Sequence, residues 1–173
     1  AYRALKASQV DPTLATARAR HIAKWAQVLA KFFERQRNAI IGRVRDDSAI
    51  ETVWLDGERW DGELTADLYR LNSATAQVWA RWVTDRLDTD LDLSRMENYL
   101  LTVSQNSAAR INGTTRNEIA SALLSESPKD AVKQLFEVAT TSRADSIAAS
   151  GVNTAANFGA HEGAKQGGLR TKT

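Results

Sequence analysis

The sequence predicts an all-α fold: an elongated helical bundle with one long N-terminal amphipathic helix and several shorter helices behind it. Three observations predict it. Apolar residues recur at spacings of three and four along most of the chain. Helix-start signals recur too, at Asp11-Pro12, at Ser94 with Glu97 and at Ser127-Pro128. The only two prolines in 173 residues both sit where a helix would begin. The same pattern suggests a linker over 1–11, a long basic helix with an acidic helical segment over 12–92, and a further helical domain over 93–173.

The elements follow in order. Asp11 is an acidic N-cap with Pro12 at the first helical position. From there Leu14, Ile22, Trp25, Leu29, Phe32, Phe33, Ile40 and Val44 fall on one arc at about 100° per residue. Arg20, Lys24, Lys31, Arg35 and Arg45 fall roughly opposite. The expected helix covers about 12–45, frays at Gly42 and reaches about 50 Å at about 1.5 Å per residue. Asp46 to Gly62 reads as a break, marked by Asp46-Asp47, Asp56-Gly57 and Asp61-Gly62. Within it, Thr52-Val53-Trp54-Leu55 fits either a short strand or a helical turn.

A second helix is expected over about 59–87, with Trp60, Leu64, Leu71, Val78 and Trp82 as its stripe and Leu68 at the edge. The acidic run Asp88-Thr89-Asp90-Leu91-Asp92 is a linker. Ser94 and Glu97 form a capping box for a helix carrying Tyr99, Leu100 and Val103, with a stop signal at Asn112-Gly113. A second box, Thr115 with Glu118, opens a short helix containing Ile119, Leu123 and Leu124. Ser127-Pro128 starts another, with Val132, Leu135 and Phe136 inward. Ser142 with Asp145 opens the last. Its inner arc is Ala144, Ile147, Ala148, Gly151, Val152, Ala155, Phe158 and Gly159, mostly small residues that let another helix approach closely. Its other face is a polar ladder of Ser146, Ser150, Asn153, Asn157 and His161, read either as solvated or as a buried seam between subunits.

Composition removes much chemistry. Zero cysteines exclude disulfides, thiolate metal sites and cysteine nucleophiles, and two histidines leave little for an imidazole site. No apolar run approaches the about 20 residues of a membrane span. There is no Walker loop, GxGxxG or HExxH. Gly163–Gly168 lacks a preceding strand and reads as a helix terminus. His161-Glu162 has no partner that would make it an acid–base pair, and His21 reads as a boundary residue of the first helix. Trp25, Trp60 and Trp82 read as core; Trp79, off the stripe, and Trp54, in the break, read as candidates for partner contact. No catalytic residue, cofactor or metal ligand emerges.

The net charge of +2 hides a segregation. Residues 1–45 hold ten Lys/Arg against two acids, and residues 46–100 hold five against thirteen. The basic residues Arg20, Lys24, Lys31 and Arg35 therefore have two candidate partners: the acidic stretch of the same chain, or nucleic acid or an acidic protein surface. The chain begins at Ala1 without methionine and stops at Arg170-Thr171-Lys172-Thr173, which suggests a fragment of something longer.

Three segments carry a resemblance: Ile111-Asn112-Gly113-Thr114-Thr115-Arg116, Ala131 to Phe136, and Ser142-Arg143-Ala144-Asp145-Ser146-Ile147-Ala148 followed by Asn153 through Gly168. This arrangement resembles the phage head morphogenesis domain of Mu F-like minor head proteins. Upstream, Ala19 to Lys24 and Phe32 to Gln36 are similar to regions that join this domain to tailed-phage portal proteins of the HK97-like type. The resemblance implies a virion structural protein, not an enzyme. It would sit inside the phage head at the portal vertex, after assembly in the host cytoplasm, and act in head assembly and DNA packaging or ejection. Its implied partners are the portal ring or other head proteins and, non-specifically, packaged double-stranded DNA, with no membrane partner and with homo-oligomerisation in the full-length context. Arg143, Ala148, Asn157 and Gly159 match the family pattern and are assigned packing roles. The family often has Thr-Glu where this chain has Ser150-Gly151, so no role of that acidic residue carries over. The alternative is a helical nucleic-acid-binding or regulatory module using the basic face of the first helix.

Overall fold

A computed structural model describes residues 11–169. The described residues form an all-α bundle: α1 (Pro12–Ile41), α2 (Ile50–Val53), α3 (Gly57–Leu87), α4 (Ser94–Ala122), α5 (Pro128–Val138) and α6 (Ala144–Gln166). A π-helical turn, Ala139–Arg143, joins α5 to α6 without a break. Side-chain pairings fix the directions. Arg35 meets Glu63 while His21 meets Thr75, so α1 and α3 are antiparallel. Asn72 meets Ser104 while Asp61 meets Asn112, so α4 reverses again. Ala76 lies on Gly159 and Ala80 on Gly163, so α6 runs parallel to α3. The four long helices thus go up, down, up, down.

The first helix forms as its signals predict. The Asp11 carboxylate accepts from the Thr13 backbone N–H at 2.9 Å, and Trp25, Leu29, Phe32, Phe33 and Ile40 are buried. Of the two options for Thr52–Leu55, the chain takes the helical one, as the single turn α2. The core runs continuously from Trp25 through Leu64 and Ile111 to Val132, Phe136 and Val152. It crosses the boundary expected at 92/93, which falls in the α3–α4 connection. The expected linker lies, apart from Asp11, outside the described residues.

Several expectations are corrected. The bundle does not consist of one long helix with shorter followers, because α1, α3, α4 and α6 have 30, 31, 29 and 23 residues. Helix α4 does not stop at Asn112-Gly113 but runs on to Ala122. Thr115 is no cap: it is buried inside the helix and its hydroxyl donates to the Ile111 carbonyl at 3.0 Å. Packing of Ile111, Asn112 and Ile119 against the core outweighs the local stop signal, as tertiary context commonly does. Ser142 and Asp145 form no cap either. Buried positions run 132, 136, 139, 144 and 148, and the interval of five between Ala139 and Ala144 is taken up by the wider π turn.

In α3 the stripe shifts towards small residues. Ala76, Trp79, Ala80 and Val83 are buried, whereas Val78 is 36% exposed and Trp82 only half-buried. Trp79, expected to face a partner, is 4% exposed and packs edge-on against His21. The reason is the approach of α6: a Cβ on Gly159 would overlap the Ala76 carbonyl, and one on Gly163 would stand 2.6 Å from the Ala80 carbonyl oxygen. Alanines and glycines facing one another bring two helix backbones together, and the bulkier Trp79 is drawn inside beside them.

Candidate functional site

Two surfaces hold the residues singled out from the sequence. On α1, Arg20, Lys24, Lys31 and Arg35 are all exposed. Arg35 is committed within the chain: its Nε meets Glu63 and its Nη2 meets Asp67, both at 3.2 Å. Arg59 also reaches Glu63, at 2.7 Å, and Arg70 reaches Asp67, at 2.9 Å, so Arg35 belongs to a five-residue charge ladder. Burial pushes the Glu63 carboxyl up, but hydrogen bonds from Arg59 and Arg35 outweigh it and hold it below its ordinary range. Among the described residues Arg20, Lys24 and Lys31 have no carboxylate within 4.0 Å. The two candidate partners thus divide the face: the acidic helix takes Arg35 and leaves the other three.

The residues carrying the resemblance sit where helices join. Asn112 is buried; its Oδ1 accepts from Gln36 Nε2 at 2.9 Å, and its Nδ2 donates to Asp61 at 2.7 Å. One side chain on α4 therefore ties α1 to α3. Arg143, at the end of the π turn, donates to Glu118 at 2.7 Å and to the Ile111 carbonyl at 3.0 Å, and its guanidinium lies 5.4 Å from the Phe33 ring centre. Ala148 and Gly159 are buried in helix contacts. Asn157 is corrected: it is exposed with the rest of the polar ladder, Ser146, Ser150, Asn153 and His161, so it takes no packing role. That ladder faces solvent in the single chain. At Gly151 a Cβ would overlap the Trp25 ring, so the position where the family often has glutamate is reserved here for an indole.

His161 and Glu162 point to different environments. His161 is exposed, while Glu162 is buried and accepts from Gln166 Nε2 at 3.0 Å. Gln166 in turn brackets the backbone of Asp92, accepting from its N–H at 2.8 Å and donating to its carbonyl at 3.0 Å. His21 is the boundary residue expected. Its Nδ1 lies 2.9 Å from Thr75 Oγ1, which also accepts from the Trp25 indole at 3.1 Å. Burial, and then Lys24, push the His21 imidazole below its ordinary value.

Three features escaped the sequence. Asp11 accepts from Trp82 Nε1 at 3.0 Å and from Arg86 at 2.8 Å as well as capping α1, and these bonds, Trp82 foremost, hold its carboxyl low. The Gln36–Asn112 pair left one usable trace: Gln36 is a polar residue on the apolar arc between Phe33 and Ile40. The third is a cleft between α4 and α6, for which periodicity offers no signal. Among the described residues no three His, Asp or Glu side chains gather as a metal site would require, and no helix is long and apolar enough to cross a membrane.

The fold and these surfaces define an all-α up–down bundle joined by buried polar side chains. No protein-family model matches the chain, and neither a curated protein nor a solved structure matches it.

Proposed function

We propose that the chain is a structural domain of a tailed-phage virion, a portal-associated minor head protein acting in head assembly and DNA packaging or ejection, without catalysis. The observation that carries this reading is how the motif residues are used. Asn112, Arg143, Ala148 and Gly159 join helix to helix. A domain whose most recognisable residues hold its own helices in register is built to be a rigid part. Its partners in this reading are the portal ring or other head proteins inside the head, with self-association in the full-length context. Mass spectrometry of purified tailed-phage particles from cells carrying the gene tests it. Recovery of this chain's peptides at a fixed ratio to the portal protein is expected; their absence from particles overturns the reading.

A second reading, a module that holds nucleic acid through phosphates, is favoured by Arg20, Lys24 and Lys31 lacking carboxylate partners among the described residues. Such binding would be independent of sequence and would fall steeply with salt. A gel-shift titration of duplex DNA at two salt concentrations tests it, and negligible retention at the lower salt sinks it.

A further inference from the structure

Helix α6 meets α4 where Phe158 stacks on Tyr99 with ring centres 4.1 Å apart, and the π turn just before α6 meets α4 where Arg143 holds the Ile111 carbonyl. Between them lies a cleft of about 290 Å³. Its floor is apolar, from Trp25 of α1, Leu68 of α3 and Ile111 of α4. Arg110 is the one charged residue in the lining, and no carboxylate lines the cleft. The other arginines of α4 are paired, Arg95 with Asp92 at 3.3 Å and Arg116 with Glu51 at 3.5 Å. Among the described residues Arg110 has no such partner. The Ser146 and Thr154 hydroxyls on the rim already donate to carbonyls four residues back, of Ser142 and Ser150, at 2.9 and 3.0 Å. Those of Ser107 and Ser150 make no hydrogen bond within the described chain, so the lining offers unspent donors around one cation.

We propose that this cleft binds a compact amphipathic monoanion, an aryl or branched-alkyl carboxylate, with its carboxylate on Arg110 and its apolar body over Trp25, Leu68 and Ile111. The single cation sets the charge. A neutral ligand forgoes the charge-assisted hydrogen bonds, a cation is repelled, and a dianion finds no second positive group. The volume stands at the lower end of small-ligand sites, about 300 Å³, which limits the body to one ring or a short branched chain. The proposal is independent of the head-protein reading and of the basic face of α1.

The test is an amide-shift titration of the full 173-residue chain by NMR with 4-phenylbutyrate, run beside the neutral 4-phenylbutyramide. Saturable shifts are expected at Ser107, Arg110, Ser150 and the Trp25 indole, with the amide about tenfold weaker, the effect of losing a charge-assisted contact. Arg110→Gln should weaken the acid by a similar factor, whereas Arg95→Gln should leave it unchanged. Ser107→Phe, which plugs the cleft from its rim, should abolish the shifts in a protein whose remaining spectrum is native. Equal affinity for acid and amide, indifference to Arg110→Gln, or no saturation at about 10 mM, above the millimolar range that one anchor supplies, would each overturn it.

Discussion

Gly159 lies with its α-carbon against the Ala76 carbonyl, so that the α3 and α6 backbones touch there with no side chain between them. The same contact repeats one turn on, between Gly163 and Ala80. This double contact makes α3 and α6 the tightest pair in the bundle, although no loop joins them directly.

Gly159→Ala should therefore cost about 2–3 kcal/mol, the upper part of the usual range for overpacking. Gly113→Ala is the control: nothing lies within 4 Å of its Cβ position inside α4, and the change should gain about 0.5–1 kcal/mol. Gly151→Leu and Ala155→Leu should each cost about 1–3 kcal/mol. The exposed Ser150→Ala and Asn153→Ala should stay within about 0.5 kcal/mol. Urea unfolding of the set measures all six differences against the wild type.

Asn112→Ala should cost about 1–3 kcal/mol for the groups it strands. Gln36 is fully buried and its Oε1 already lacks a partner, so losing Asn112 leaves its amide nitrogen unbonded too. Chemical denaturation and amide exchange at α1 and α3 report the loss; unchanged protection at both helices would refute the bridging role.

Acid sensitivity should begin near His21. Its folded pKa is depressed below 6.5, so the native state resists the proton that the unfolded state accepts. Its contribution is complete above about 6.5 and is lost as pH falls through the folded value. Thr75 adds a reason: with its oxygen accepting from Trp25, its proton is free for an unprotonated Nδ1. His21→Gln should flatten the melting temperature between pH 7 and pH 5 relative to wild type. Asp11 and Asp92, held below 3.8 chiefly by Trp82 and by Ser94, act only in stronger acid, where their contributions disappear as the carboxylates protonate.

Charge reversals should separate the two halves of the basic face. Arg35→Glu places a carboxylate against Glu63 and Asp67 and should lower the melting temperature. The triple change Arg20→Glu, Lys24→Glu, Lys31→Glu should leave it nearly unaltered. Where duplex DNA is retained, the triple variant should lose it, and each phosphate contact removed should reduce the log–log salt slope by about 0.9. A triple variant that unfolds would mean these residues have partners within the chain.

Asp88 ends α3 with φ 51°, the left-handed region that glycine enters without strain. Asp88→Gly should raise the melting temperature by about 2–4 °C, corresponding to about 1 kcal/mol in a domain of this size. A calorimetric scan decides it.

The fold class, the start of α1 and the small face of α6 were legible because periodicity, a capping aspartate and clustered glycines are local signals. The run of α4 through Asn112-Gly113 was not, since only burial of Ile111, Asn112 and Thr115 against other helices makes that stretch helical. The position of Trp79 was hidden for a related reason: an apolar stripe read from large residues overlooks Ala76 and Ala80, which set the closest contact. The basic face was readable as a pattern, but its division was not, because Glu63 and Asp67 reach Arg35 only once α3 folds back along α1.

The π turn at Ala139–Arg143 holds one residue more than ordinary helical winding needs. Connections between helices usually absorb an extra or missing residue, but here the backbone passes from α5 to α6 without a loop. Removing one residue, such as Thr141, would restore ordinary helical winding, shorten the interval from Ala139 to Ala144 to four residues and leave everything beyond it on the same face. Gly151, Gly159 and Gly163 would keep their neighbours, whereas a residue lost from the α-helical part, such as one between Ala144 and Gly151, would turn all three by about 100°. Kindred chains should therefore tolerate a gap of one residue within these five positions and none between Ala144 and Gly163.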